Sequence, residues 1–122
     1  MFTPTKLVVD IRVQDLGRAV AFYRDILGFP LLRHEQTWAS FLVVGAEIHL
    51  YVYGGTTTGL EFRVSDIEDA VTTLKRKSVV FLDNFVGEKP QKISPAGVMY
   101  FNWGKGAYFN DSEGNRLALV ED

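Results

Sequence analysis

A chain of 122 residues, 47% hydrophobic and 23% charged, has the length of one domain and too much apolar content for intrinsic disorder. Thirteen basic residues against fifteen acidic ones leave a formal charge of −2, which gives no electrostatic footprint for nucleic acid. There is no cysteine, so disulfides and zinc–thiolate sites are excluded, and the two histidines, His34 and His49, rule out a three-histidine metal site.

The first element is read from Leu7, Val9, Ile11 and Val13 pointing one way while Val8, Asp10 and Arg12 point the other. That alternation predicts a strand with one buried face. Asp15 then offers an N-cap, and Leu16, Ala19, Val20, Tyr23, Ile26 and Leu27 recur at helical spacing up to the stop at Gly28. Three shorter strands are expected near residues 30–33, 38–44 and 47–53, with a linker at Gly54-Gly55 and the threonines that follow. His34 is expected at a solvated hairpin tip.

The pattern then starts again. Residues 60–67 read like residues 9–16: Leu60 follows Val9, Arg63 follows Arg12 and Asp66 follows Asp15 by the same offset of 51 positions. Asp66 is again an N-cap, Ile67, Ala70, Val71 and Leu74 form a second apolar stripe, and Lys75-Arg76-Lys77 sit where a helix dipole favours cations. Strands are expected at residues 79–82, 98–101, 107–109 and 115–120, with a long loop over 83–97 and a hairpin turn at 110–115. The prediction is an α+β chain of two βαβββ modules, about 5–53 and 59–121, in a single domain with helices on the outer faces of curled mixed sheets. Packing the modules together, or against another chain, would curl the free sheet faces into a cleft.

The segment Val13-Gln14-Asp15-Leu16-Gly17-Arg18-Ala19-Val20-Ala21-Phe22-Tyr23-Arg24-Asp25-Ile26-Leu27-Gly28-Phe29 resembles the vicinal oxygen chelate superfamily of glyoxalases, bleomycin-resistance proteins and extradiol dioxygenases. Trp103-Gly104 through Asp111-Ser112-Glu113-Gly114-Asn115 is similar to its second signature, with Ser112 where a proline is usual. The resemblance covers essentially the whole chain and is specific for fold rather than function. In the metal-dependent members the ligands fall at positions that correspond to Val8, His49, Gly59 and Ala118. Only His49 has a donor side chain, so the inherited divalent site is expected to be absent, and with it the Lewis-acid chemistry of those relatives.

Strand parity says what replaces the metal. Leu7, Val9, Ile11, Ile48, Leu50, Leu60, Phe62, Leu117 and Leu119 are expected to cover the helices. The opposite parity gives Val8, Asp10, Arg12, Glu47, His49, Tyr51, Gly59, Glu61, Arg63, Arg116 and Ala118, a polar set for a cleft or subunit face. Asp10 and Glu61 are equivalent under the repeat, as are Arg12 and Arg63. One reading makes them ion pairs bracing the sheets. Another has Asp10 and Glu61 recognise a cationic or hydroxylated ligand, and a third is a displaced metal site of Asp10, His49 and Glu61. His49 is read either as a hydrogen-bonded structural residue or as a ligand contact.

Trp103 corresponds to a tryptophan-glycine that bleomycin-resistance-like members carry near their ligand groove. Its indole is expected either to stack on a planar compound or to plug the space beneath the 83–97 loop. Trp38 is read as core, dimer interface or a second stacking surface. No helix follows Gly104 and Gly106 to present an N-terminus, so they are no phosphate cradle.

The expectation is metal-independent binding of a small aromatic or amphipathic molecule, similar to antibiotic-sequestering proteins. Its contacts would be Trp103, Trp38, His49, Tyr51, Asp10 and Glu61, with no catalytic residue assigned and no cofactor. The alternative is a metal-dependent lyase, isomerase or dioxygenase with an atypical divalent site at His49. The resemblance also implies a homodimer. The longest apolar run, residues 41–46, is too short to span a bilayer, and the first six residues lack a signal peptide's charged head and apolar run. A cytoplasmic protein with neither membrane nor nucleic-acid partners is therefore expected.

Overall fold

Asp15 and Asp66 each end an extended segment and start a helix. Both have β-region backbone, and their carboxylates accept from the amides of Arg18 at 3.0 Å and Asp69 at 3.1 Å. These bonds satisfy donors that a helix start leaves open. The computed structural model describes residues 1–84 and 87–122, so Phe85 and Val86, within the expected 83–97 loop, lie outside the described residues.

The described residues form two compact units: Met1–Thr57 with Asp111–Asn115, and Thr58–Asn110 with Arg116–Asp122. In the first, strands β1 (Val8–Arg12), β2 (Leu31–His34), β3 (Trp38–Val43) and β4 (Ala46–Tyr51) lie in the order β1-β4-β3-β2. Strand β1 runs parallel to β4, and the other neighbours are antiparallel. Helix α1 (Leu16–Ala21) packs on β3 and β4. Ile11, Val13, Ala19, Val20, Tyr23, Phe41, Ile48 and Leu50 make the core. The second unit repeats the plan with β5 (Leu60–Arg63), α2 (Ile67–Arg76), β6 (Lys92–Ile93), β7 (Met99–Phe101), β8 (Gly104–Asn110) and β9 (Arg116–Glu121). Its sheet order is β5-β9-β8-β7-β6, with β5 parallel to β9 and α2 on β8 and β9. Ile67, Val71, Val98, Met99, Ala107, Phe109 and Leu117 are buried there. This is the expected α+β repeat of two βαβββ-like modules, the second with the two-residue β6 as an additional edge strand.

Several details differ from the expectations. The first helix does not run regularly to its stop: residues Phe22–Ile26 form a π turn, with the Leu27 amide bonded to the Phe22 carbonyl at 3.1 Å. The wider turn accompanies burial of two successive aromatics, Phe22 and Tyr23. Residues 79–82 are not a strand, because Phe81 forms a single bridge to Phe109 before the chain bends at Asp83. The short β6 instead arises within the expected loop. The linker is also ordered against β1, with the Thr56 amide bonded to the Asp10 carbonyl at 2.8 Å and the Arg12 amide to the Thr56 carbonyl at 3.1 Å. Leu7 lies ahead of β1 and is exposed rather than covering a helix. His34 is the last residue of β2, paired with Ala39, and not the hairpin tip.

Val44 and Gly45 join β3 to β4 with φ of 47° and 82°. Two left-handed residues suit the twist of a two-residue hairpin.

Candidate functional site

Paired residues on neighbouring strands point to the same side of a sheet, so register reads directly as a map of the face. Asp10 pairs with His49, His49 with Ser40 and Ser40 with Arg33, which makes one row across β1, β4, β3 and β2. The next row is Arg12, Tyr51 and Trp38. Alternate residues Ile48, Leu50, Ala39 and Phe41 are buried on the opposite side, toward the core. The polar parity of β1 and β4 is thus forced outward by burial of the apolar parity.

On this face Asp10, Trp38, His49 and Tyr51 line a hollow of about 310 Å³. The Trp38 and His49 rings stack with centroids 5.3 Å apart and 19° between planes. The Arg33 guanidinium lies 5.0 Å from the indole centroid, and Ser40 is buried. Tyr51 meets Tyr53 edge-on at 5.8 Å. Each ring nitrogen of His49 faces a carboxylate: Nε2 is 3.2 Å from Glu47 Oε1, and Nδ1 is 3.8 Å from Asp10 Oδ1. Glu47 is also bound by Lys6, and these two partners, Lys6 foremost, hold its carboxyl below the usual range.

The second unit carries a smaller hollow of about 110 Å³, lined by residues that include Glu61, Tyr108, Arg116 and Ala118. Glu61 pairs with Ala118 and Ala118 with Tyr108, so Glu61 and Ala118 occupy the register positions that Asp10 and His49 hold in the first unit. Arg116 lies 4.6 Å from the Tyr108 ring centroid. Burial raises the Tyr108 hydroxyl pKa, Arg116 opposes that rise and Glu61 adds to it.

Of the residues singled out from sequence, Asp10, Trp38, His49 and Tyr51 therefore meet in one hollow. Glu61 belongs to the second unit. Trp103 lies in the turn between β7 and β8, 45% exposed and stacked on Phe101 at 5.1 Å and 8°, and is not among the residues lining the Glu61 hollow. The expected bracing pairs take another form: Arg63 binds Asp122, and Asp10 faces His49. Arg33 and Tyr108 were missed. Tyr108 alternates with the buried Ala107 and Phe109 and so shares the outward parity of Ala118, a signal present in the sequence.

Residues 7–119 match the glyoxalase/bleomycin resistance protein/dioxygenase superfamily, and the chain belongs to it. No curated protein matches the sequence. Among solved structures the chain is similar to TnmS3, an antibiotic binding protein from Streptomyces sp. CB03234, at 23% identity and a TM-score of 0.69, covering 99% of this chain and 98% of that one. It is likewise similar to a lactoylglutathione lyase from Agrobacterium tumefaciens at 17% identity and a TM-score of 0.70, covering 98% and 96%. A superfamily member from Sphaerobacter thermophilus DSM 20745 aligns over 100% of both chains at 22% identity and a TM-score of 0.69. Likeness at these identities establishes the fold; a scaffold of this kind hosts binders and enzymes alike.

The metal that the family's enzymes use does not fit the residues present. Val8, Gly59 and Ala118 bring no side-chain donor, and the two carboxylates beside His49 stand off opposite ring nitrogens instead of converging on one point. Among the described residues no three His, Asp or Glu side chains group so as to hold a metal ion. Among them, too, no helix is long and apolar enough to cross a membrane.

Proposed function

We propose that this chain binds a small planar aromatic or amphipathic molecule without a metal, in the manner of an antibiotic-sequestering protein. The observation that carries the reading is the unit 1 hollow, where two aromatic side chains, an imidazole and a carboxylate share about 310 Å³. That volume lies at the lower end of ~300–1,000 Å³, the range of small-molecule sites, and its mix of apolar rings with a few polar groups is typical of them. Trp38 and Tyr51 supply ring surface, and Asp10 and His49 orient the ligand through hydrogen bonds. Trp103 offers a second exposed indole and Glu61 a second carboxylate. The reading includes a homodimer, which light scattering tests as a particle of twice the chain mass.

The decisive experiment is tryptophan-fluorescence titration of the protein with naphthalene, quinoline and anthraquinone compounds. The chain holds two tryptophans, so Trp103→Phe leaves Trp38 as sole reporter. Saturable quenching that persists in Trp103→Phe and weakens about tenfold in Trp38→Ala is expected from lost ring contact. If instead the response vanishes in Trp103→Phe while calorimetric affinity survives in Trp38→Ala, the Trp38 assignment falls. Turnover that a chelator abolishes would replace the binding reading with an enzymatic one.

A further inference from the structure

We infer that the unit 1 hollow selects a planar ring bearing a positive charge, such as a protonated amine or a quaternised ring nitrogen, with Asp10 as its counter-ion. The inference rests on the binding reading above and names the ligand class for that same site. It follows from the state of each charged group around His49. Glu47 is bound by Lys6 and by His49 Nε2. Arg33 is bound by Glu35 through contacts of 2.7 and 3.2 Å, so its charge is offset. Asp10 differs: its side chain is 56% exposed, and His49 Nδ1 stands 3.8 Å away, beyond hydrogen-bond distance. Among the described residues that line the hollow it is the one carboxylate. Arg12, two residues along β1, lies opposite Tyr51 and is not among them.

One aromatic wall acts in the same direction. The phenol ring of Tyr51 carries a negative face that attracts cations and borders the Asp10 carboxylate, whereas the Trp38 indole is already stacked on His49 and met by the Arg33 guanidinium at 5.0 Å. An anionic ring would meet the Asp10 charge, which among the described lining residues has no lysine or arginine beside it, and a neutral ring would gain only contact and stacking. The hollow therefore ranks ligands by charge as well as by shape.

Three ring-matched probes test this: N-methylquinolinium as cation, 2-naphthol as neutral ring and 2-naphthoate as anion, each titrated calorimetrically into the intact protein. The cation should bind about fivefold more tightly than 2-naphthol, and 2-naphthoate most weakly, as expected for one partly exposed ion pair. Asp10→Asn should collapse the preference. In the unmodified protein the same preference should shrink as sodium chloride rises, because salt screens exposed charges. That salt series decides the matter even if Asp10→Asn fails to fold. Equal affinities for the three probes would overturn the charge selection and leave the binding reading standing. A cation preference that survives both Asp10→Asn and high salt would overturn the assignment to Asp10. No binding of any probe would overturn both readings.

Discussion

Glu113 shows how one residue holds a turn in place. Its side chain is fully buried, yet it accepts from the amides of Gln14 at 2.9 Å and Asp15 at 2.8 Å, from Ser112 at 2.8 Å and from Arg18 at 2.7 and 3.1 Å. Burial by itself favours the protonated acid. Arg18, with the two amides and the Ser112 hydroxyl, outweighs that and lowers the carboxyl to about 2 from an ordinary 4.5. Because the folded value is depressed, ionised Glu113 stabilises the fold fully above pH 4.5, and the contribution is lost as pH falls toward about 2. A shift of this size corresponds to ~3 kcal/mol. Glu113→Gln should therefore cost about 2 kcal/mol in urea unfolding at pH 7, since the amide keeps part of the hydrogen bonding, and the deficit should narrow by pH 3. A deficit equal at both pH values would sink the account. Beside Glu113, the buried Asp111 accepts from the Tyr23 hydroxyl at 2.7 Å and from Asn115; burial first, and then the Asp111 charge, raise the Tyr23 pKa well above the usual phenol range.

At the scale of elements, close backbone packing sets a second sensitivity. Gly55 has φ of +123°, and a Cβ there would lie 2.8 Å from the Arg12 nitrogen and from the Asp10 carbonyl carbon and oxygen. All three are backbone atoms and cannot swing away. Gly45, in the hairpin, has a left-handed φ of +82° but open space where its Cβ would be. Gly55→Ala should cost ~2 kcal/mol or more and Gly45→Ala about 1 kcal/mol, read from thermal or urea unfolding. Equal costs would mean that the segment carrying Thr56 can shift from β1 at no expense. Such features explain what was legible from sequence. The caps at Asp15 and Asp66, the outward parity of β1 and β4 and the repeated module rest on chemistry local to a few residues, and each was readable. The π turn was not, because the apolar spacing of residues 22–27 suits either helix type. Strand β6 was hidden between Pro90 and Pro95 in a stretch with turn composition, and the apolar run at 79–82 gave no sign that only one rung of pairing would form.

For the molecule as a whole, the candidate site was legible where it lies on one sheet and illegible where it depends on separate elements. Period-2 alternation with a one-sided core is enough to place Asp10, His49 and Tyr51 on a shared face, and antiparallel register adds Trp38. No local pattern reveals that Glu47 is engaged by Lys6, or that Trp103 stacks on Phe101 in a turn. Those facts need the folded chain. The same division bears on the metal. The superfamily includes metal enzymes, and the register confirms that Asp10 and Glu61 stand opposite His49 and Ala118, so one half of the repeat keeps a donor and the other replaces it with a methyl group. One imidazole whose nitrogens already face Asp10 and Glu47 is a poor competitor for a divalent ion, since tight sites need three or four converging donors. Protein purified without chelator or affinity tag should therefore carry iron, manganese, nickel and zinc only at background by plasma mass spectrometry, and His49→Ala should leave that background unchanged. Near-stoichiometric metal that His49→Ala removes would require Asp10 or Glu47 to turn toward a common point with His49. That outcome would favour the metal-dependent enzymatic reading over the proposed binding one.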